Sequence, residues 1–449
     1  MKRNLLTTWC ASVIFAAGFL PARADLPYEC RTTFSLKVAA NAGDTAAMFA
    51  LAQRYEFGTG VGQDNDKALM WYRAAADSGD ARAMNTLALS QIEGTILPYD
   101  EQAGQALLKK AAELNEPAAM VNLAQRFAKG TSWLAKDAQK SSDYLAKAVA
   151  RYRELAEAGE RRAFFELGLF YAQGCGVARD DAAAVAWFAK AAALDDSHAM
   201  LCLADLCAEK RGMARDDKKI FEWCNKSAQL GNPLGMLAVA ALYDVGVAGQ
   251  QNRAEALDWR RKAAAANFPR AMFLLGRQFE SGDGVPKDDD EALRWFRKGA
   301  MFNDPAALTE LGVRATKSQN YAEANKYFER AAKLEDARAI YNLGIAYAKG
   351  HGVTKDESKS AEYYRRAADL GNPAAMNNLG LMYLNGSGAQ RRAADGIDWF
   401  QKAAALGNAD AMRNLAQVYR KGIGVAVDPT KANEWDQHAS AVKETPPSH

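Results

Sequence analysis

The stretch Ala375-Met376-Asn377-Asn378-Leu379-Gly380-Leu381-Met382-Tyr383 is matched 36 residues earlier by Ala339-Ile340-Tyr341-Asn342-Leu343-Gly344-Ile345-Ala346-Tyr347. The same small-residue start recurs at Ala47, Ala83, Ala119, Ala163, Ala199, Gly235, Ala271, Ala307, Ala339, Ala375 and Ala411. Eight of the ten intervals are 36 residues; one of 44 follows Ala119 and one of 32 follows Ala307. A fixed period over eleven copies marks a repeat array, in which each unit hides its apolar faces only against its neighbours.

Within one copy, Ala375, Met376, Leu379, Gly380 and Tyr383 fall on one face at helical spacing, and Ile397, Trp399, Phe400, Ala403 and Ala404 form a second stripe. Each copy therefore reads as two amphipathic helices. Trp71, Trp187, Trp223, Trp259, Trp295, Trp399 and Trp435 share one slot in the second helix and read as core. Gly-x-Gly stands between the helices at Gly58, Gly174, Gly282, Gly350, Gly386 and Gly422. No strand precedes these glycines, so helix termination in the left-handed region explains them better than a phosphate cradle does. Asp64, Asp180, Asp216, Asp288, Asp356 and Asp428 follow at a constant distance, suited to capping the second helix. Gly79, Gly231, Gly371 and Gly407 then close it.

Ala-Met-x-Asn-Leu-Gly-x-x-Tyr, Gly-x-Gly-Val-x-x-Asp and Trp-Phe-x-Lys-Ala-Ala-x-x-Gly-Asn, on a period of 36, resemble the Sel-one-like repeat family, relatives of the tetratricopeptide repeats. The resemblance implies an all-α fold, an alpha-alpha superhelix: a right-handed solenoid of about eleven helix-turn-helix repeats over 44–440, curved and with an extended inner surface. Residues 25–43 are expected to form an N-terminal cap, and 441–449 a disordered tail. Three copies depart from the pattern. Leu107 replaces the aromatic of the second, the third is lengthened before Arg151 and Tyr152, and the eighth lacks the glycine loop.

Lys2 and Arg3 precede an apolar stretch from Leu5 to Leu20, and Ala22-Arg23-Ala24 supplies a small-x-small site, so residues 1–24 read as a signal peptide cleaved after Ala24. Trp9 before Cys10 argues against lipidation, and no later segment is apolar enough to span a bilayer. The expected location is periplasmic or secreted. Losing Lys2, Arg3 and Arg23 brings the 57 basic residues of the chain level with its 54 acidic ones. A balanced chain without a basic tract argues against a nucleic-acid partner, whose affinity rests on phosphate neutralisation.

Nothing in the sequence nominates a catalytic centre, cofactor or metal. His198, His351, His438 and His449 lie in four unrelated contexts, without the paired spacing of a zinc site. Ser440-Ala441-Val442-Lys443 has the serine-x-x-lysine spacing of penicillin-interacting enzymes, an activity linked to some secreted relatives. The accompanying Ser-Asp-Asn and Lys-Thr-Gly motifs are absent. Five cysteines remain after cleavage, and disulfides are the default in an oxidising compartment. Cys207 and Cys224 replace two aromatic core slots of the fifth copy, a paired exchange that suggests a bridge between its helices; Cys175 with Cys202 is the weaker alternative. A zinc site is the rival, although Cys202 and Cys207 are separated by roughly 140° around a helix.

Asn122, Asn342, Asn378 and Asn414 precede the motif leucine. In the related tetratricopeptide arrays, residues near this slot hold peptide ligands, and an amide both donates and accepts. Gln125 and Gln417, one turn on, extend the candidate face, while bonding to the next repeat is the competing role. Members of the resembled family generally act as scaffolds, and exported bacterial ones are associated with envelope or polysaccharide assembly and host interaction. The expected function is thus an exported adaptor for protein or peptide partners, peptidoglycan or polysaccharide-assembly machinery among them. The alternative is a secreted binder or weak hydrolase of cell-wall fragments or β-lactams.

Overall fold

The computed structural model describes residues 32–442, apart from 132, 133, 248, 250 and 389. The expected leader, the first part of the cap segment and nearly all of the expected tail lie outside these residues. Among the described residues there are 23 helices and no strand. Twenty-two of them follow the expected order, two to a copy, such as Pro373–Asn385 with Ala393–Ala405; in the sixth copy Pro233–Val245 is the last helix of one compact unit and Arg253–Ala265 the first of the other. None is long and apolar enough to cross a membrane.

The repeat's punctuation works as its residue types require. All six expected aspartates accept a backbone N–H in the first turn of a second helix, as Asp288 does from Glu291 N at 2.8 Å, satisfying donors that have no partner within the helix. Gly58, Gly174, Gly282, Gly350, Gly386 and Gly422 all have φ between +68° and +76°, the left-handed conformation expected of them. The second glycine of the loop has another task. A Cβ on Gly352 would lie 2.8 Å from the backbone of Tyr321, at the start of the preceding repeat's second helix. The loop glycine thus lets neighbouring repeats approach backbone to backbone.

The core sits between the helices of a pair and between neighbouring pairs. Phe188, Phe296, Phe328 and Phe400 are buried and press on Gly168, Gly276, Gly312 and Gly380 of their partner helices, where any larger residue would collide with the ring. The tryptophan slot corrects the expectation: all seven tryptophans are only half-buried, and the residue after them is the core residue in Tyr72, Phe188, Phe296 and Phe400. Lysines lie over four of the indoles, with Lys190 4.0 Å from the Trp187 ring centre. The slot is therefore a seam where an amphipathic ring meets a solvated cation.

The irregular copies have simple structural forms. The third absorbs its extra residues into a 20-residue helix, Ala138–Glu157, where the usual length is 13. In the eighth, Pro305–Lys317 is joined directly to Tyr321–Lys333 through Gln319 in the left-handed region and the cap Asn320. The described part of the cap segment is a helix, Thr33–Asn41, which packs on Thr45–Phe57 through buried Leu36 and Ala40. Thr33 Oγ1 donates to Gly60 O, so this helix stands where a preceding repeat would put its second helix. The chain divides into two compact units, one ending at Asn252 and the other starting at Arg253.

Candidate partner-binding face

Within each unit, first helices of successive repeats lie beside one another, and at three seams their fifth and sixth residues face each other across it. In the unit ending at Asn252, Asn122 Nδ2 donates to Asn85 Oδ1 of the preceding repeat at 2.9 Å. In the unit starting at Arg253, Asn414 Nδ2 donates to Asn377 Oδ1 at 2.8 Å and Asn378 Nδ2 to the Tyr341 hydroxyl at 3.5 Å. Asn342 is half-buried in the same row, and Gln125 and Gln417 are exposed one turn on. Three of the four asparagines thus tie a repeat to its neighbour, the competing role that the sequence left open.

The same sixth position carries Glu166 in the fourth repeat, and here the pattern changes. Glu166 is 4% exposed; its Oε1 lies 3.6 Å from Arg162 Nε, and its Oε2 is buried without a hydrogen-bond partner. Beside it stands Tyr152, from the lengthened helix of the third repeat, whose buried hydroxyl also has no partner. Burial pushes the Glu166 carboxyl up, with Arg162 opposing. Burial, reinforced by the Glu166 charge, drives the Tyr152 phenol well above its ordinary range. Glu116, the N-cap of Pro117–Lys129, is raised by desolvation and feels Arg162, Arg82 and Asp80. Arg82 is already held by Asp80 at 2.8 Å and lies over the Phe49 ring.

A second buried acid lies one repeat on. Asp205 is 3% exposed, with Oδ1 unpartnered, and burial together with nearby Glu209 pushes it up to about 7. Arg211 opposes this shift while bonding Asp181 at 2.6 Å, Glu209 at 3.3 Å and Ala172 O at 2.9 Å. In the unit starting at Arg253, Glu310 occupies the sixth position and pairs with Arg314 at 3.3 Å; Arg314 also bonds Glu280, which holds Arg277 at 2.9 Å. That carboxylate has its counter-charge.

Cys207 and Cys224, expected as a bridge, are buried and form no disulfide in the structure, nor do half-buried Cys175 and buried Cys202. Cys207 Sγ accepts from Asp216 N at 3.2 Å and donates to Ala214 O at 3.3 Å, serving the loop between the helices. Among the described residues no group of histidine, cysteine and carboxylate side chains could hold a metal ion. His198, His351 and His438 each face an aromatic ring, His351 stacking on Tyr321 at 4.2 Å. Ser440 donates to Asp436 O; Lys443 and His449 lie outside the described residues. Glu166 was missed in sequence, although an acid standing in the asparagine position was a signal for it. Tyr152 had no such signal, since nothing distinguishes it there from other slot aromatics.

Stacked helix pairs, with first helices side by side within each unit, define the class of helical-repeat proteins that present a surface for binding. The chain belongs to the Sel1 repeat family: eleven matches to its model run from residues 45–80 to 409–435. It is similar to c5321, a protective antigen of uropathogenic Escherichia coli with an SLR fold, at 27% identity and a TM-score of 0.50, covering 92% of this chain and 95% of that one. Curated relatives match only in short stretches. "Putative beta-lactamase HcpC" of Helicobacter pylori is 43% identical over 49 residues, 11% of this chain and 17% of its own length. "ERAD-associated E3 ubiquitin-protein ligase component HRD3B" of Arabidopsis thaliana is 55% identical over 38 residues, 8% and 6%.

Proposed function

We propose that this protein is an exported, non-catalytic adaptor that holds protein or peptide partners against its first-helix faces. The observation that carries it is the row of polar side chains along those faces, with exposed Gln125 and Gln417 beside the rungs of Asn122, Asn378 and Asn414. Within each unit, such a polar row suits recognition of an extended segment, whose backbone amides need donors and acceptors at regular intervals. Export rests on Lys2, Arg3, the apolar stretch and Ala22-Arg23-Ala24; a mature N-terminus at Asp25 tests it. In an oxidising compartment Cys207 and Cys224 are expected to pair, and five free thiols in the mature protein would remove that pairing.

Crosslinking of the mature protein in cells, followed by mass spectrometry, tests the adaptor role. Protein adducts mapping to first-helix residues support it; adducts confined to second helices or loops, or none, count against it. The match to a protein named as a beta-lactamase keeps a second reading in view, a binder or weak hydrolase of cell-wall fragments or β-lactams. Turnover of a β-lactam or a muropeptide that scales with protein concentration would favour it.

A further inference from the structure

Three tyrosines fill the buried aromatic slot of a second helix, and they are not treated alike. Tyr72 donates to Glu56 Oε2 at 2.5 Å. The Tyr364 hydroxyl has the polar side chains of Asn378 and Ser360 beside it. Tyr152 keeps a buried hydroxyl with no partner, although phenylalanine fills the same slot in four other repeats without that desolvation penalty. Its electrostatic neighbours are Glu166, Arg162 and Glu116. The acid has the matching defect. Glu166 Oε2 is buried and unpartnered, its other oxygen is only loosely held by Arg162, and Glu116 and Asp196 add like charge around it. Arg162, with 26% of its side chain exposed, brings the cluster to the surface of the face.

Two unused oxygens and an excess of carboxylate lack the same thing: a second cation. We propose that this cluster receives one cationic group of a bound partner segment, a lysine or arginine side chain or an amino terminus. Arg162 swings aside, and the incoming group donates to Glu166 Oε2 and the Tyr152 hydroxyl, with the Glu116 carboxylate supplying further counter-charge. An ammonium has three donors for such a site. The proposal rests on the adaptor reading above and gives it a specificity. The equivalent Glu310 of the other unit is not such a site, because Arg314 and its network already neutralise it.

The test uses the whole mature chain, with labelled hexalysine as the probe and fully acetylated hexalysine as its uncharged control, followed by fluorescence anisotropy. Hexalysine binds and the acetylated peptide does not. E166Q weakens binding about tenfold or more, as loss of hydrogen bonds to a charged group implies, while E310Q leaves it unchanged. Y152F, which places in the slot the residue other repeats use there, weakens binding measurably and decides the matter should E166Q fold poorly by circular dichroism. The proposal is overturned by equal binding of both peptides, by no hexalysine binding, by equal losses in E166Q and E310Q, or by a Y152F affinity matching the parent. Cellular crosslinks on other first helices that persist in E166Q would retain the adaptor role and remove this site from it. Absence of any protein adduct would remove the adaptor role, while the hexalysine titration would still judge the site.

Discussion

Replacing Asp205 with asparagine should change how the stability of the unit ending at Asn252 depends on pH. In the native protein Asp205 sits buried in the helix Ser197–Ala208, with an oxygen unpartnered, Glu209 nearby and Arg211 committed to Asp181, Glu209 and a carbonyl. Burial holds its proton up to about pH 7, whereas the unfolded chain releases it near 3.8. Between those values the native state binds more protons than the unfolded one, so stability falls as pH rises through the window and levels off above it. At about 1.4 kcal/mol for each tenfold change in proton concentration, the loss accumulates to roughly 4 kcal/mol by neutral pH. Asparagine keeps the shape and cannot ionise, so D205N should lack this slope.

Urea denaturation of parent and D205N at pH 5, 6, 7 and 8 measures it, because titrating groups that do not interact with Asp205, Glu166 among them, cancel in the difference. D205N should gain on the parent steadily up to pH 7 and no further. Repeat arrays open locally, so amide exchange over residues 197–208 should report the same trend. Parallel stability profiles for the two proteins would refute the assignment of a buried, proton-holding carboxyl to this position.

Three further outcomes follow from the packing. G212A should cost about 3 kcal/mol, combining a strained left-handed alanine with overpacking, because its Cβ would lie 2.3 Å from Asp181 O; G231A, also left-handed but with nothing within 4 Å, should cost only the backbone part. Urea midpoints of the two variants check the difference, and equal costs would show that the repeats do not meet at Gly212. D288A removes the cap bond to Glu291 N and should lose about 1 kcal/mol, with faster amide exchange confined to the first turn of Asp289–Met301. F400A empties a slot that is fully buried against Gly380 and should lose about 3 to 5 kcal/mol, read by thermal melting.

The fold was legible because its signals are repeated: a cap aspartate, a left-handed glycine and an apolar stripe at one spacing leave little choice of structure. Recurrence alone does not tell the depth of the seven tryptophans, which are half-buried. A ring that recurs at a seam looks the same in sequence as one in the core, and only the lysine three residues on, as in Trp187 and Lys190, hints at solvent. The asparagine row was legible as a row, but not its use, since an amide that bonds Asn85 or Asn377 across a seam has the same letter as one that awaits a ligand. The buried states of Asp205 and Glu166 depend on neighbours contributed by other helices, which no local pattern contains.

The energetics of the seam also explain where the candidate site falls. An amide rung such as Asn414 to Asn377 adds about 0.5 to 1.5 kcal/mol, whereas a buried group left unsatisfied costs about 1 to 3 kcal/mol. Replacing a rung by Glu166 against Tyr152 therefore turns a stabilising contact into a local deficit between the third and fourth repeats. That is where the second helix is longest. The extra turns of Ala138–Glu157 stack Tyr144 on Phe127 at 5.8 Å, while Leu145 makes with Gly176 the same close approach that Tyr321 makes with Gly352. These contacts lie away from the unsatisfied pair and require no change in it. The lengthening thus adds packing within the third repeat, beside a seam where, among the described residues of this unit, a buried tyrosine hydroxyl and a buried glutamate oxygen are both left open, which is what a site that must stay incomplete until a partner arrives would need from its frame.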